Sequence, residues 1–356
     1  MASTIPGSAA VGQPRPRENA RRVLGIKVLG TGAYVPERLV RNEDLADLGC
    51  DSEWIVQRTG ILERRHAGPD EATSDLAYQA MVRCLDAAGV AASEVDLIFV
   101  ATMTPDHATP STACILQARL GAIHAAAMDL NAACSGFTYA LITAANFVRA
   151  GAYRRVLVVG ADVMSRVINP KDVKTYPLFG DGAGAVLIGP ADSGSEPAES
   201  TDEVGILAYQ LGADGSGGDL LKVPACGSRE PVTQAALEQE RQYLQMDGRP
   251  VFKWAVRLVA ESIVSLTEEA GLTLRDIALV ILHQANIRII DAAVSDLSLP
   301  AEKVFVNLDR FGNTSAASIP IALDEAVRQG RVKRGDRVLM CGFGAGLTWA
   351  SCILTY

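Results

Sequence analysis

The feature that most constrains this chain is a repeat within it. DIALVILH (276–283) answers DLIFVAT (96–102), and VFVNLDRFGNTSAASIPIALDEAV (304–327) answers MDLNAACSGFTYALITAANFV (128–148). RVLMCGFGAG (337–346) answers RVLVVGAD (155–162). In each half an apolar strand-type run leads into a small-residue turn and an Ala-rich helical pattern. Another buried strand follows ~20–30 residues later, the spacing of a strand–helix–strand unit. The expected fold class is therefore α/β, with two similar halves of mixed sheet and helices related by a pseudo-two-fold axis. The folded part begins near Val23 with one β-type run, VLGIKVLGTGAYVP. The Pro-, Ser- and acid-rich stretch ADSGSEPAESTDE (191–203) divides the halves, which are placed at 23–195 and 204–356. Residues 1–22 lack an apolar core of the secretory type and read as a disordered extension.

Composition narrows the function classes. Of 356 residues, 49% are hydrophobic and 21% charged, which is globular usage. No apolar run approaches the ~18 residues of a membrane span. The formal net charge of −8 argues against nucleic acid as a main partner. Seven cysteines, odd in number and without a C-x-x-C pair, fit free thiols in a reducing cytoplasm rather than a disulfide scaffold or zinc site.

Cys134 stands where the AAAMDL strand ends and the helical pattern SGFTYALITAANFV begins. Unpaired N–H groups and the positive end of the helix dipole gather there and favour a thiolate, the form a covalent acyl-transfer enzyme uses. A buried structural cysteine is the competing reading. His283 ends the apolar strand LVIL and opens into a loop, where α/β folds display chemistry. Gly312-Asn313-Thr314-Ser315 forms a turn into a helix, and its simplest role is capping. By the repeat, Cys134 and the Asn313 turn fall at equivalent helix starts, both facing one pocket near the pseudo-axis. Gly342-Phe343-Gly344-Ala345-Gly346 is either a tight turn or a set of backbone N–H groups open to a ligand oxygen.

NAACSGF (131–137), HQAN (283–286), GNTSAAS (312–318) and GFGAGLTW (342–349) occur in order, with SEWIVQRTGI (52–61) and FGDGAGA (179–185). Together they resemble β-ketoacyl-acyl carrier protein synthase III of the thiolase superfamily, from about Val23 to Tyr356. The resemblance implies a thiolase-like fold with layers α-β-α-β-α. It implies Cys134 as nucleophile, with His283 and Asn313 as its partners and the backbone N–H groups of Cys134 and Ala345 as an oxyanion hole. Trp54, Arg58, Leu178, Phe179, Gly248 and Asn286 match positions that hold CoA or the acyl group. Gln284, Ala285, Asn286, Ile287 and Arg288 match the docking surface for acyl carrier protein. Lys253 and Arg257, four apart on one predicted helix face, extend it. Arg249 reads better as a solvated residue.

The implied reaction joins a short acyl-CoA to malonyl-acyl carrier protein with loss of CO₂, starting fatty acid synthesis in a cytoplasmic homodimer. It implies no metal and no redox cofactor, and neither nucleic acid nor membrane as partner. A priming synthase or acyltransferase of polyketide or secondary metabolism is the alternative. A cysteine hydrolase and a non-catalytic partner of another synthase fit the residues less well. The chain departs from the pattern at Val173, where an Arg is usual; either Lys171 or Lys174 compensates or CoA binds more weakly. Cys50 replaces a Thr, Thr109 a bulkier gating residue and Ala350 a Gly. All four bear on primer and CoA, not on the reaction type.

Overall fold

The computed structural model describes residues 21–191 and 204–356. The chain opens with β1 (Arg21–Leu24) and β2 (Ile26–Tyr34). The hairpin of β3 (Leu39–Arg41) and β4 (Glu63–Arg65) brackets α1 (Ser52–Thr59). Next come α2 (Thr73–Ala88), β5 (Leu97–Ala101), α3 (Thr112–Leu120) and β6 (Ala126–Leu130). α4 (Gly136–Arg149), β7 (Val156–Asp162) and β8 (Gly182–Pro190) complete the first half.

The second half starts with β9 (Gly205–Ala213), β10 (Leu221–Lys222), α5 (Gln234–Glu238) and β11 (Gln245–Met246). It continues through α6 (Gly248–Ala270), β12 (Leu279–Leu282), α7 (Ile287–Asp296) and α8 (Leu308–Phe311). It ends with α9 (Ser318–Arg328), β13 (Arg337–Gly344) and β14 (Thr348–Thr355).

The duplication is visible in the sheets. Their strand orders are β2-β8-β7-β5-β6 and β1-β9-β14-β13-β12. β2, β8, β7 and β5 correspond to β9, β14, β13 and β12, with parallel and antiparallel neighbours repeated. A single parallel bridge between Val280 and Val304 takes the place of β6. β1 has no counterpart. Gly25, at φ +78°, turns the chain so that β1 pairs with β9 of the second sheet while β2 joins the first. The run beginning at Val23, expected as one strand, is thus two strands in two sheets, and the cut at 23–195 does not coincide with a sheet. The extension expected over 1–22 is corrected at its end, because Arg21 and Arg22 lie in β1. Residues 1–20 and 192–203 lie outside the described residues.

Five layers result. α2 and α3 cover the outer face of the first sheet, α4 and α9 lie between the sheets, and α6 and α7 cover the outer face of the second. α4 is apolar on nearly every side because it meets a sheet on each. Phe137 and Leu141, both fully buried, each contribute about 2 kcal/mol by leaving water. α4 and α9 approach the strands closely only where side chains vanish. A Cβ on Gly160 would lie 2.3 Å from the carbonyl oxygen of Ala316, and one on Gly342 would lie 3.0 Å from the Cα of Ser135. These glycines occupy the same position of the repeat, each receiving the turn from the other half.

Gly160→Ala is therefore expected to destabilise the fold by about 2 kcal/mol through overpacking, lowering the thermal midpoint by several degrees. Differential scanning calorimetry checks this; an unchanged midpoint would mean the Ala316 turn is not pressed against β7.

Candidate active site

Two matching turns build the site. Asn131, just past β6, accepts the N–H of Ala133 on Oδ1 at 3.1 Å, and Ala133 is forced to φ +46°. In the second half Asn313 accepts the N–H of Ser315 on Oδ1 at 2.9 Å, and Ser315 stands at φ +51°. Non-glycine residues in this region are strained, and the surrounding contacts hold them there. A one-turn 3-10 segment then enters α4 or α9. The expected equivalence of Cys134 and the Asn313 turn holds for the turns but not for the residues. Asn313 answers Asn131, and the counterpart of Cys134 is Ala316.

Position 162 of the first half answers position 344 of the second, and the pair has diverged. Asp162, fully buried, accepts the N–H of Ala316 on Oδ2 at 3.1 Å. Its Oδ1 accepts from Thr102 Oγ1 and the Met103 N–H. Gly344 instead faces Cys134, where a Cβ would lie 2.9 Å from both the Cβ and N of the cysteine. Glycine is required there to leave room for the thiol.

Cys134, His283 and Asn313 meet at the inner end of a cavity of about 680 Å³. All three are buried, at 7%, 2% and 6% exposure. His283 Nδ1 lies 2.7 Å from Ser318 Oγ, and its ring meets Phe343 edge-on at 5.2 Å. Asn313 is clamped by its backbone, donating to Leu178 O at 2.8 Å and accepting from the Gly180 N–H at 3.0 Å. Its Oδ1 is committed to Ser315, which leaves the amide NH₂ as the free end of a side chain that lines the cavity. The clamping segment is held by Arg64, a fully buried guanidinium bonded to Pro177 O at 2.8 Å and Asn42 Oδ1 at 2.7 Å. Burial lowers the Arg64 pKa to about 10.

Burial also acts on the charges of Cys134 and His283. It pushes the Cys134 thiol up to about 12; a Ser315 hydroxyl at 3.6 Å opposes this and the Asp162 carboxylate adds to it. It pushes His283 down to about 3. The expected resting thiolate is thus corrected. Desolvation outweighs the helix start, and the pair rests as a neutral thiol and a neutral imidazole.

The remaining predicted residues separate by position. Trp54, Arg58, Leu178, Phe179, Gly248, Ala285, Asn286 and Arg288 all line the cavity. The Arg58 guanidinium stacks on the Trp54 ring at 4.1 Å. Asn286 caps α7 through the Arg288 N–H at 2.9 Å and donates to Arg58 O at 3.0 Å, tying α7 to α1. Arg249, expected as merely solvated, lines the mouth with Lys174 and Val173. Lys171 points elsewhere, to Glu240 at 3.3 Å. Lys253 and Arg257 are exposed on α6 outside the cavity lining, and Arg257 lies 3.9 Å from Glu261. Ile287 is half-buried and packs over Gly60, where a Cβ on the glycine would lie 2.6 Å from the Ile287 Cβ. Gln284 is a correction: it is 1% exposed, donates to Leu282 O and Phe305 O, and accepts the Asn307 N–H. It braces the loop and offers nothing to a partner. Ala345 follows Gly344 directly, and its carbonyl lies 2.9 Å from Thr348 Oγ1. Thr109 is exposed, on the loop before α3.

Sequence reasoning passed over Ser318, Ser315, Asp162 and Phe343 as individual residues. The first two sit inside the GNTSAAS motif and Phe343 inside GFGAGLTW. The signal for Asp162 is a carboxylate ending a fully apolar strand.

With the thiol held near 12, the thiolate fraction rises about tenfold per pH unit through the neutral and mildly alkaline range. Alkylation of Cys134 by iodoacetamide, read on its peptide by mass spectrometry, should climb without levelling from roughly pH 7 to 10. A plateau already reached at neutral pH would contradict the neutral resting thiol.

The chain matches the family model for 3-oxoacyl-[acyl-carrier-protein] synthase III over residues 128–215 and that for the C-terminal part of the same synthase over residues 267–356. The first span holds Cys134; the second holds His283 and Asn313. A β-ketoacyl-[acyl-carrier-protein] synthase III of Rhodopirellula baltica is 59% identical over 341 residues, covering 93% of this chain and 99% of that protein. The crystal structure of the 3-oxoacyl-[acyl-carrier-protein] synthase III of Aquifex aeolicus is 44% identical with a TM-score of 0.84, covering 93% of this chain and 100% of the other. The priming β-ketosynthase of the R1128 polyketide pathway is 40% identical with a TM-score of 0.82, covering 96% and 99%. Likeness of this degree, over both halves and the site between them, makes the chain a member of the β-ketoacyl-[acyl-carrier-protein] synthase III family.

Proposed function

We propose that this condensing enzyme starts fatty acid synthesis by joining a short acyl-CoA to malonyl-acyl carrier protein, with Cys134, His283 and Asn313 as the reacting set. The observation that carries the assignment of residues is their convergence, as one nucleophile and two uncharged donors, at the buried end of a single cavity. Cys134 Sγ attacks the thioester carbonyl, CoA departs with the proton as its thiol, and an acyl-cysteine remains. Malonyl-acyl carrier protein then enters and loses CO₂. The enolate oxygen so formed accepts from the His283 ring N–H and the Asn313 amide, fixed donors that carry no charge of their own. The enolate carbon attacks the acyl-cysteine carbonyl, whose oxyanion lies against the N–H groups of Cys134 and Ala345. Collapse releases the β-ketoacyl product, and Cys134 regains a proton. That last proton comes from solvent; the two substrates supply every other atom and electron pair, so the chemistry calls for no cofactor.

The mouth suits these substrates. Trp54 and Arg58 offer an aromatic face and a cation for the adenine and phosphates, with Lys174 in place of the usual Arg and Gly248 and Asn286 along the pantetheine arm. Leu178 and Phe179 wall the acyl group. Arg249 and Arg288, with exposed Lys253, Arg257 and the half-buried Ala285 and Ile287, form a basic docking surface for an acidic carrier on a chain of net charge −8. We assign a homodimer because β6 is an edge strand, open on one side, with Met128 39% exposed on it and Ile123 73% exposed before it. A cytoplasmic location is supported by seven free cysteines. No helix among the described residues is long and apolar enough to cross a membrane. The likeness to the R1128 enzyme favours a second reading, priming of a polyketide by the same chemistry. Mass spectrometry of the Cys134 adduct after competition among acetyl-, isobutyryl- and longer acyl-CoAs bears on it by ranking the primers.

Cys134→Ala should give no acyl adduct from acetyl-CoA, and an adduct that persists would overturn the assignment. His283→Ala and Asn313→Ala should still acylate but lose CO₂ release from malonyl-acyl carrier protein by on the order of 100-fold each. Light scattering should give about twice the chain mass of 37.6 kDa; a monomer would remove the β6 assignment.

A further inference from the structure

His283 and Ser318 form a buried pair, Nδ1 to Oγ at 2.7 Å, each 2% exposed. Ser318 is the first residue of α9. Among the described residues, His283 Nδ1 is the one hydrogen-bond partner recorded for Ser318 Oγ. That makes donor accounting decisive. Were the proton on Nδ1, the ring would donate to Oγ and the serine O–H would be left buried without an acceptor, at a cost of about 1–3 kcal/mol. With Ser318 donating to Nδ1, both groups are satisfied and the ring proton sits on Nε2. Burial keeps the imidazole neutral, so it has one proton and its placement matters. Nδ1 is spent on Ser318, which leaves Nε2 for the cavity that His283 lines.

The repeat isolates this pair. Ala101 lies opposite Gly160 in the first sheet; His283, one residue beyond the Leu282–Cys341 pair, lies opposite Gly342 in the second. By the turn equivalence, Gly136 answers Ser318. Ala101 and Gly136 also touch, since a Cβ on Gly136 would lie 3.2 Å from the Ala101 Cβ. The fold therefore places these two positions side by side in both halves. One half keeps two small apolar residues, and the half facing the substrate carbonyl holds an imidazole and a hydroxyl. Phe343, edge-on at 5.2 Å, braces the ring from another side.

We propose that Ser318 is a positioning residue that fixes His283 as the Nε2–H tautomer, so that the ring donates to the enolate oxygen. This rests on the decarboxylating function proposed above. Nitrogen-15 NMR of the histidine-labelled protein tests it directly, with the His283 signals assigned by their loss in His283→Gln. The expected wild-type spectrum shows His283 Nε2 protonated and Nδ1 bare; a protonated Nδ1 overturns the proposal. Ser318→Ala should mix or reverse the tautomers. It should also slow CO₂ release from malonyl-acyl carrier protein by on the order of 100-fold in kcat, leaving the rate of Cys134 acylation within about twofold. Ser318→Thr, which keeps the hydroxyl, should restore both the spectrum and the rate. Equal losses in acylation and decarboxylation, or an unchanged spectrum in Ser318→Ala, would mean that Ser318 only packs. Wild-type protein that releases no CO₂ would defeat the functional reading while the spectra still decide the tautomer.

Discussion

The structure depends on one steric constraint: two sheets must clasp two helices closely enough for the turns before those helices to touch strands of the opposite half. Gly160 and Gly342 permit it. Each lies in a central strand at the same position of the repeat, and each presses on a turn from the other half. The Asn131 and Asn313 side chains fold both turns in the same way by accepting the N–H two residues on. With the turns held against glycine, Cys134, Asn313 and His283 have almost no freedom to separate. The Arg64 clamp and the Leu178–Gly180 segment close the remaining side. Much of the preorganisation that catalysis needs is thus ordinary core packing.

The same burial decides the electrostatics. A site placed between two sheets is dry, and dryness penalises charge on either partner. Cys134 is held as a thiol and His283 as a neutral ring, unlike the ion pair of a cysteine hydrolase. A neutral pair suits a reaction whose charge appears on substrate oxygens and must be met by fixed dipoles. Cations stand at the mouth, where Arg58, Lys174, Arg249 and Arg288 line the cavity and remain exposed to water.

Duplication followed by divergence accounts for the division of labour. At four pairs of equivalent positions one half keeps a structural residue and the other carries a residue of the proposed chemistry or makes room for one. Ala316 answers Cys134, Asp162 answers Gly344, Ala101 answers His283, and Gly136 answers Ser318. Cys134, the proposed nucleophile, belongs to the first half and His283 and Asn313 to the second, so the cavity they line exists only where the halves meet. Asp162 binds the Ala316 turn at the place where Gly344 admits the thiol.

Much of this was legible in the sequence. The repeat determines the α/β class and the two similar halves, because hydrophobic periodicity and small-residue turns are local properties. The motifs around Cys134, His283 and Asn313 single out, for the same reason, the three residues that the proposed reaction uses and that line one cavity. Their partners were less legible, since Asp162 reaches the Ala316 turn of the other half while Ser318 and Arg64 act within their own halves on residues far away in the chain, and sequence does not show such contacts. Gln284 looked like a docking residue by its neighbours, and only the fold turns it inward. The run after Val23 carries one continuous β pattern, and the split at Gly25 is set by which sheet edge lies within reach. Charge state was decided by tertiary structure alone. A helix start favours a thiolate, but how much water remains around Sγ depends on two sheets closing over it, and desolvation is the larger effect.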